Sequence, residues 1–492
     1  MRDLAIGIDI GTTAVKGIVI DRDGSILKET SRPSELLSPK PGYAEEDPNK
    51  WVEGVFDILR ELSDLGSRTS AIGISGMVPT LIFVDEEGMA IGNSIQQNDS
   101  RAVEEIEYFK RVLDEEEYFR RTGNTINQQV VFPKILWVKR NEPDRLKKAR
   151  WIMGSYSYVS FKLTGVASLE KNWALESGMW RIEGGWDEEI LKATGIDERI
   201  LPEVRDPWEI IGETSKEVEK ATGFPSGIPV IAGSADHIAS ALATGMNEDG
   251  DLLLKFGGAG DVLYVTKDLK LSKKLFIDYH DIPGMFVLNG CMASSGSIVK
   301  WFRSNFASLN YEDLTKLASE IPPGSEGLVM LPYFLGEKTP IFDPKARGTL
   351  VGLSLHHGVG HIFRSILEAV AYGFRHHVDV LKEEGFEIKR VFMSNGGARS
   401  DLWRQIVADV IGMDAVYVKD HPGSSLGAAF LAGKATGLFE DWNEMEKFTR
   451  DKMEVKHDTD VHGIYEGYYR LYRELYERLK DFFVELHEMS RG

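Results

Sequence analysis

The feature that most constrains the fold of this chain is a strand–turn–strand pattern that occurs twice. Residues 4–20, LAIGIDIGTTAVKGIVI, are two apolar runs of β type joined by Gly-Thr-Thr. DRDG at 21–24 supplies the next turn, so a hairpin followed by a third strand near 25–30 is expected. Residues 251–268, DLLLKFGGAGDVLYVTKD, repeat the layout: an apolar strand, a tight turn of small residues, a second strand. One such hairpin opens each half of a chain of 492 residues, which is long for a single hydrophobic core. The expectation is an α/β protein with two domains of common plan, 1–246 and 247–492. They part where MNEDG at 246–250 interrupts the apolar pattern.

Between the hairpins, AIGISGM at 71–77 reads as a strand ending in a loop, and 101–121 as a charged surface helix. Residues 361–385 form a long amphipathic helix with a glycine stop, and 390–412 read as strand, glycine-rich turn and helix. GSSLGAAFLAGKATG at 423–437 is a helix of small residues. From Ile464 to Met489, apolar residues at 464, 468, 471, 475, 479, 482 and 486 predict a packed helix face.

The net charge of −19 argues against nucleic acid and anionic membrane as partners. A phosphate ligand stays open, because backbone N–H groups hold phosphate with few basic side chains. A single cysteine, Cys291, rules out an internal disulfide and a thiolate metal cluster. No uncharged apolar run is long enough to span a bilayer, and the N-terminus lacks the apolar stretch of a signal peptide. The expected location is the cytoplasm.

Four segments carry the chemistry. In GIDIGTTAVKG, the turn Gly11, Thr12, Thr13 presents amides and hydroxyls suited to phosphate, and Asp9 leads into it as a ligand for hydrated Mg²⁺. An ordinary hairpin with a polar tip is the other reading. Gly257, Gly258, Ala259 and Gly260 form the second turn; a strand follows it, so a dinucleotide-binding βαβ unit is disfavoured. In SNGGARS at 394–400, Gly396 and Gly397 either admit a flat adenine or serve a turn that needs positive φ. The fourth segment is PVIAGSADHIASALATG at 229–245, where Asp236 stands between apolar runs. A carboxylate there is either a base for an attacking hydroxyl or, like Ser234, a helix cap.

Taken in order, these segments resemble the FGGY carbohydrate kinases, and the match runs nearly the whole length. PGYAEEDPNKWVEGV at 41–55, PKILWV at 133–138 and GTLVGLSLHHGVGHIFRSILE at 348–368 resemble further family segments, the last being the most specific. Upstream of PKILWV, Gln129 and Val131 depart from the usual types. The resemblance implies two RNase H-like domains of the actin, Hsp70 and sugar-kinase superfamily, with the active site in an interdomain cleft. It implies transfer of the γ-phosphate of ATP to a sugar hydroxyl with Asp236 as general base, and a homodimer as one possible assembly. It assigns ATP contacts to Gly11, Thr12, Thr13, Lys16, Gly257, Gly258, Ala259, Gly260, Gly396, Gly397, Ala398 and Ser400, and Mg²⁺, through water, to Asp9. It assigns sugar contacts to Met77, Asn98, Asp99, Arg101 and Asp236.

Within the family the chain is most similar to the xylulokinases, which make D-xylulose 5-phosphate from D-xylulose. Two departures keep alternatives open. Val78 stands where a histidine follows the methionine, which admits another ketose, a polyol or a sugar acid, such as ribulose, glycerol or gluconate. FGGAG lacks the hydroxyl usual in the second turn, which admits a protein that switches on ATP without phosphorylating sugar.

Overall fold

The computed structural model describes residues 2–419 and 422–489, which form two compact units. The first comprises Met1–Asn247, Ile277–Phe286 and His421–Arg450; the second comprises Glu248–Phe276, Val287–Asp420 and Asp451–Gly492. The division expected near 246/247 is thus crossed twice, by two short segments that fold with the first unit.

The first unit is built on a sheet of β1 (Leu4–Ile10), β2 (Ala14–Asp21), β3 (Ile26–Pro33), β4 (Thr69–Gly76), β5 (Ile210–Glu213), β6 (Pro229–Ile231) and β7 (Ser234–Ala235). Its order is β5-β6-β4-β1-β2-β3, with β7 also beside β4. The β1–β2 and β2–β3 pairs are antiparallel; β1, β6 and β7 run parallel to β4. Every residue of β1 and β4 is buried, as their continuous apolar runs require of central parallel strands.

The helix Ser424–Ala435 explains why 421–450 joins this unit. Its sequence is nearly all small residues, and Ser424 to Gly433 are buried. A Cβ on Gly7 of β1 would stand 1.9 Å from the Ser425 carbonyl oxygen, and one on Gly73 of β4 would stand 2.1 Å from that of Ala428. Gly427 meets the Ala239 carbonyl equally closely, at 2.0 Å. Backbone packs on backbone here, and side chains of ordinary size have no room. The other segment, 277–286, is fastened by Asn172, whose Nδ2 donates to the Tyr279 carbonyl at 2.9 Å while its Oδ1 accepts from Tyr279 N at 2.8 Å.

In the second unit the sheet contains β8 (Asp251–Phe256), β9 (Gly260–Thr266), β10 (Phe286–Met292), β11 (Arg390–Ser394), β12 (Ala415–Val418) and β13 (Lys452–Val455), in the order β10-β9-β8-β11-β12-β13. β8 pairs antiparallel with β9 and parallel with β11; β11 and β12 are parallel, and β13 closes the edge antiparallel. Hairpin, third strand beside it, two parallel strands, antiparallel edge: the first sheet has the same plan. The duplication expected from the two hairpins is therefore present in the topology.

Two helices differ from expectation. The stretch 101–121 is broken into Val103–Val112 and Glu115–Thr122, because Asp114 caps the second helix by accepting from Glu116 N and Glu117 N. In the last helix, Thr459–Met489, the buried residues are Tyr465, Tyr469, Tyr472 and Phe483. The apolar stripe expected to pack is largely outside: Ile464, Leu471, Phe482 and Leu486 are exposed. Tyrosine hydroxyls reach buried partners here, Tyr465 to Glu368 at 2.9 Å and Tyr469 to Asp379 at 2.7 Å, so the amphipathic ring wins the interior over leucine.

Candidate active site

In the first unit, three parallel strands end side by side. Ile10 of β1 pairs with Gly76 of β4, and Gly76 pairs with Ala235 of β7. Gly11, Met77 and Asp236 are the next residues, so sheet register alone brings the first turn, a sugar-contact candidate and the candidate base together. Ligands of α/β sheets collect at such carboxyl ends. The register continues one step, with Met77 N donating to the Ile10 carbonyl at 3.2 Å.

Asp236 begins the helix Asp236–Ala243, whose N-cap is Ala235 and has no side-chain cap bond. Ser234 does not cap it either: its hydroxyl binds Asp281 Oδ2 at 3.0 Å and the Ala235 carbonyl at 3.1 Å. The Asp236 side chain is 41% exposed. Behind it lies a buried acid–imidazole cluster. His237 Nε2 is 3.1 Å from Asp278 Oδ2 and 3.9 Å from Glu176 Oε1, and its Nδ1 is 3.5 Å from Asp236 Oδ1. Burial opposes the imidazolium, but Asp278, Asp236 and Glu176 outweigh it and hold the His237 pKa well above its usual value. Glu176 is displaced upward by burial and then by Asp278. Sequence reading missed Glu176 and Asp278, since neither lies in a motif and the fold alone carries them to Asp236.

Asp9 is buried in β1 and accepts from Ser75 Oγ at 3.0 Å. Burial first, and the Asp236 charge second, raise its pKa to about 6, while Ser424, Ser75 and Lys16 favour the anion. A buried carboxylate facing a second one supplies the oxygen ligands and negative charge that a hard divalent cation needs, so the donor set fits Mg²⁺. Thr12 and Thr13 are exposed at the turn closed by Gly11 N to the Ala14 carbonyl, 3.1 Å, and Lys16 is exposed on β2 opposite Asp9.

The segment 98–101 is arranged differently. Asn98 is exposed, but Asp99 and Arg101 are buried and spend their polar atoms on each other. Asp99 accepts from Arg101 Nη2 at 2.8 Å and from Ala44 N at 2.7 Å; Arg101 also binds Glu45 at 2.6 Å and lies 4.0 Å over the Tyr43 ring. A further residue that sequence reading left unassigned, Lys134, holds this loop by donating to the Gln96 and Gln97 carbonyls at 2.9 and 3.0 Å. Burial brings its pKa down to about 7.

In the second unit, the turn Gly257–Ala259 joins β8 to β9, and the parallel β8–β11 pair sets Lys255 opposite Ser394. The 257 and 395 turns are therefore neighbours: a Cβ on Gly257 would lie 3.7 Å from Asn395 Nδ2. The Gly257 and Gly258 carbonyls accept from Gly296 N and Ser295 N, both at 2.8 Å, so helix Gly296–Phe306 braces the turn. Sequence reading missed that brace. Gly260 is packed against Met292, Phe374 and Ser295, while Gly258 faces open space.

A cavity of about 550 Å³ lies beside the 395 turn, lined by Gly296, Tyr311, Phe363, Leu367, Gly396, Gly397, Ser400 and Trp403 among others. It is mostly apolar and of a size that takes a purine nucleoside. Gly396 has no neighbour within 4 Å of its would-be Cβ. Gly397 has the opposite reason to be glycine: a Cβ would meet the Trp403 ring at 2.6 Å and Phe256 Cβ at 2.9 Å. Ser400 caps the next helix by accepting from Trp403 N, and Ala398 is buried inside the turn.

Known proteins are similar to this chain along nearly its whole length. A xylulose kinase of Lactococcus lactis is 30% identical over 99% of both chains. A gluconokinase of Bacillus subtilis is 27% identical over 90% of both. The crystal structure of xylulose kinase from Rhodospirillum rubrum covers 98% of this chain and 99% of its own, with a TM-score of 0.92 and 39% identity. The N-terminal domain of one family matches residues 4–243 and its C-terminal domain matches 256–436, which together are most of the sequence. Strand ends, turns and matches agree, and this chain belongs to the FGGY family of carbohydrate kinases.

Proposed function

We propose that the acceptor of this ATP-dependent sugar kinase is D-xylulose, phosphorylated to D-xylulose 5-phosphate, with Asp236 as general base. The observation that carries the reading is the half-exposed Asp236 carboxylate at a parallel strand end, beside Met77 and the Gly11 turn. In this reading Asp236 takes the proton of the acceptor hydroxyl as its oxygen attacks phosphorus. His237, fixed by Asp278, is a positioning residue whose Nδ1 stands 3.5 Å from Asp236 Oδ1. Thr12, Thr13, Lys16 and the 257–260 turn hold phosphates, and Gly396, Gly397 and Ser400 flank adenosine. Asp9 would hold Mg²⁺ through water; the ion, when bound, neutralises phosphate charge. Met77 and Asn98 face the sugar, while Asp99 and Arg101, bonded to each other, shape the loop that carries Asn98.

Electrostatics favour a neutral acceptor. Asp236 is accompanied by the carboxyl groups of Asp9 and Asp278, the His237 imidazolium is engaged by Asp278, and burial holds the Glu176 pKa up. Arg101 and Lys134 are buried and bonded within the protein. An acid substrate would bring its carboxylate beside Asp236, while Lys16, exposed opposite Asp9, is assigned to phosphate in this reading.

A sugar acid is the second reading, motivated by Val78 and by the gluconokinase relative. Coupled measurement of ADP release over pentuloses, polyols and gluconate decides. D-Xylulose is expected to give the highest kcat/KM, with gluconate lower by about 10²-fold or more, a few kcal/mol of discrimination. Activity on gluconate but not on D-xylulose would replace the first reading with the second. ADP release that no acceptor stimulates would point to a nucleotide switch.

A further inference from the structure

A second polar cavity lies in the second unit, and none of its lining residues belongs to the candidate active site. It encloses about 180 Å³ among Lys274, Tyr333, His376, Arg473, Tyr476 and Glu477. Arg473 and Tyr476 are three apart on the helix Thr459–Met489 and project from one face; His376 comes from the helix Val359–Glu383.

The cavity has an excess of donors. Arg473 gives one hydrogen bond, from Nη1 to the Tyr469 hydroxyl at 3.0 Å, out of five N–H groups. His376 is 8% exposed, and its ring nitrogens have no hydrogen-bond partner among the described residues. Burial, then the charges of Arg473, His377 and Lys274, press its pKa far down, so the ring is neutral with one N–H to offer. Lys274 stands at the rim, 3.2 Å from Glu383.

The acceptors nearby are already engaged. Glu477 pairs with Lys480 at 2.7 Å, and Asp379 receives Arg375 and the Tyr469 hydroxyl. Tyr333 shares its hydroxyl proton with Tyr472 at 2.8 Å, and Tyr476 donates to Asp343 at 3.0 Å. Buried polar groups ordinarily find partners, and the unused N–H groups of Arg473 and His376 beside this space would be completed by an oxyanion. The volume equals that of about six waters, ample for a phosphate group. A metal cation is excluded by the two basic side chains.

We propose that this cavity binds a phosphate-sized oxyanion, inorganic phosphate or the phosphoryl end of a small monoester, through Arg473, His376 and Lys274. The test is calorimetric titration of the full chain with inorganic phosphate, at constant ionic strength and with a saturating non-hydrolysable ATP analogue so that nucleotide phosphate contacts are filled. One binding event is expected, weakened about 10-fold or more by Arg473→Met and by His376→Leu. A parallel titration with glycerol 3-phosphate separates the sources: competition with phosphate supports a monoester site, and phosphate binding alone supports a site for the free ion. Circular dichroism checks each variant; if Arg473→Met does not fold, His376→Leu, which removes no charge, decides. No binding to the unmodified chain, or binding that neither variant weakens, overturns the proposal.

Discussion

A single carboxylate, Asp236, has its role set by what stands behind it. Asp236→Asn should fold normally and lose about 10²–10⁴-fold in kcat, read by ADP release beside an unchanged circular dichroism spectrum. His237→Asn removes the partner of Asp278 and the cation beside Asp236, and should lower kcat about 10-fold with little change in the KM for ATP. A neighbour makes a stability test possible. Asp281 is buried, accepts from Ser234 with one oxygen and leaves the other without a partner; burial raises its pKa from 3.8 to about 8. Between those values the folded state keeps a proton that the unfolded state releases. Stability therefore falls as pH rises, by ~1.4 kcal/mol per pH unit from this group, and levels above pH 8. Urea midpoints should fall as pH rises from 5 to 8, and Asp281→Asn should make that fall shallower by about this amount. At this scale the sequence is legible only where a motif is contiguous. Asp9, Met77 and Asp236 are the last or next residues of apolar runs and can be read as strand ends. Glu176 and Asp278 are 61 and 41 residues from His237 and reach it through folds that no local pattern encodes.

Elements tell a similar story. The hairpins and the strand Thr69–Gly76 follow from alternation and turn chemistry, which act over a few residues. The face of the last helix does not, because tyrosine and leucine compete at adjacent stripes and tertiary partners such as Glu368 and Asp379 decide between them. Glycines give the sharpest element-level tests. Gly7→Ala places a methyl 1.9 Å from the Ser425 carbonyl, and should cost about 3 kcal/mol or more, seen as a lowered Tm. A Cβ on Gly396 meets nothing within 4 Å, so Gly396→Val should leave Tm nearly unchanged. By filling the 550 Å³ cavity it should raise the KM for ATP at least ~10-fold, if adenosine sits there as proposed.

For the molecule as a whole, composition and topology bear on different properties. The charge of −19 opposes an anionic nucleotide, so kcat/KM for ATP should rise a few-fold between about 10 and 150 mM salt as repulsion is screened. Stopped-flow ATP binding across that range checks it. Among the described residues no helix is long and apolar enough to cross a membrane. The interleaving of the first unit has a consequence during synthesis. Its central strand, Leu4–Ile10, leaves the ribosome early, yet the helix that covers Gly7 and Gly73 begins only at Ser424. At roughly 5–20 residues per second, that strand waits on the order of 20–80 s for its cover. A nascent chain of this protein must keep an apolar sheet face from other chains for that interval, and its demand on chaperones is set by the position of one small-residue helix.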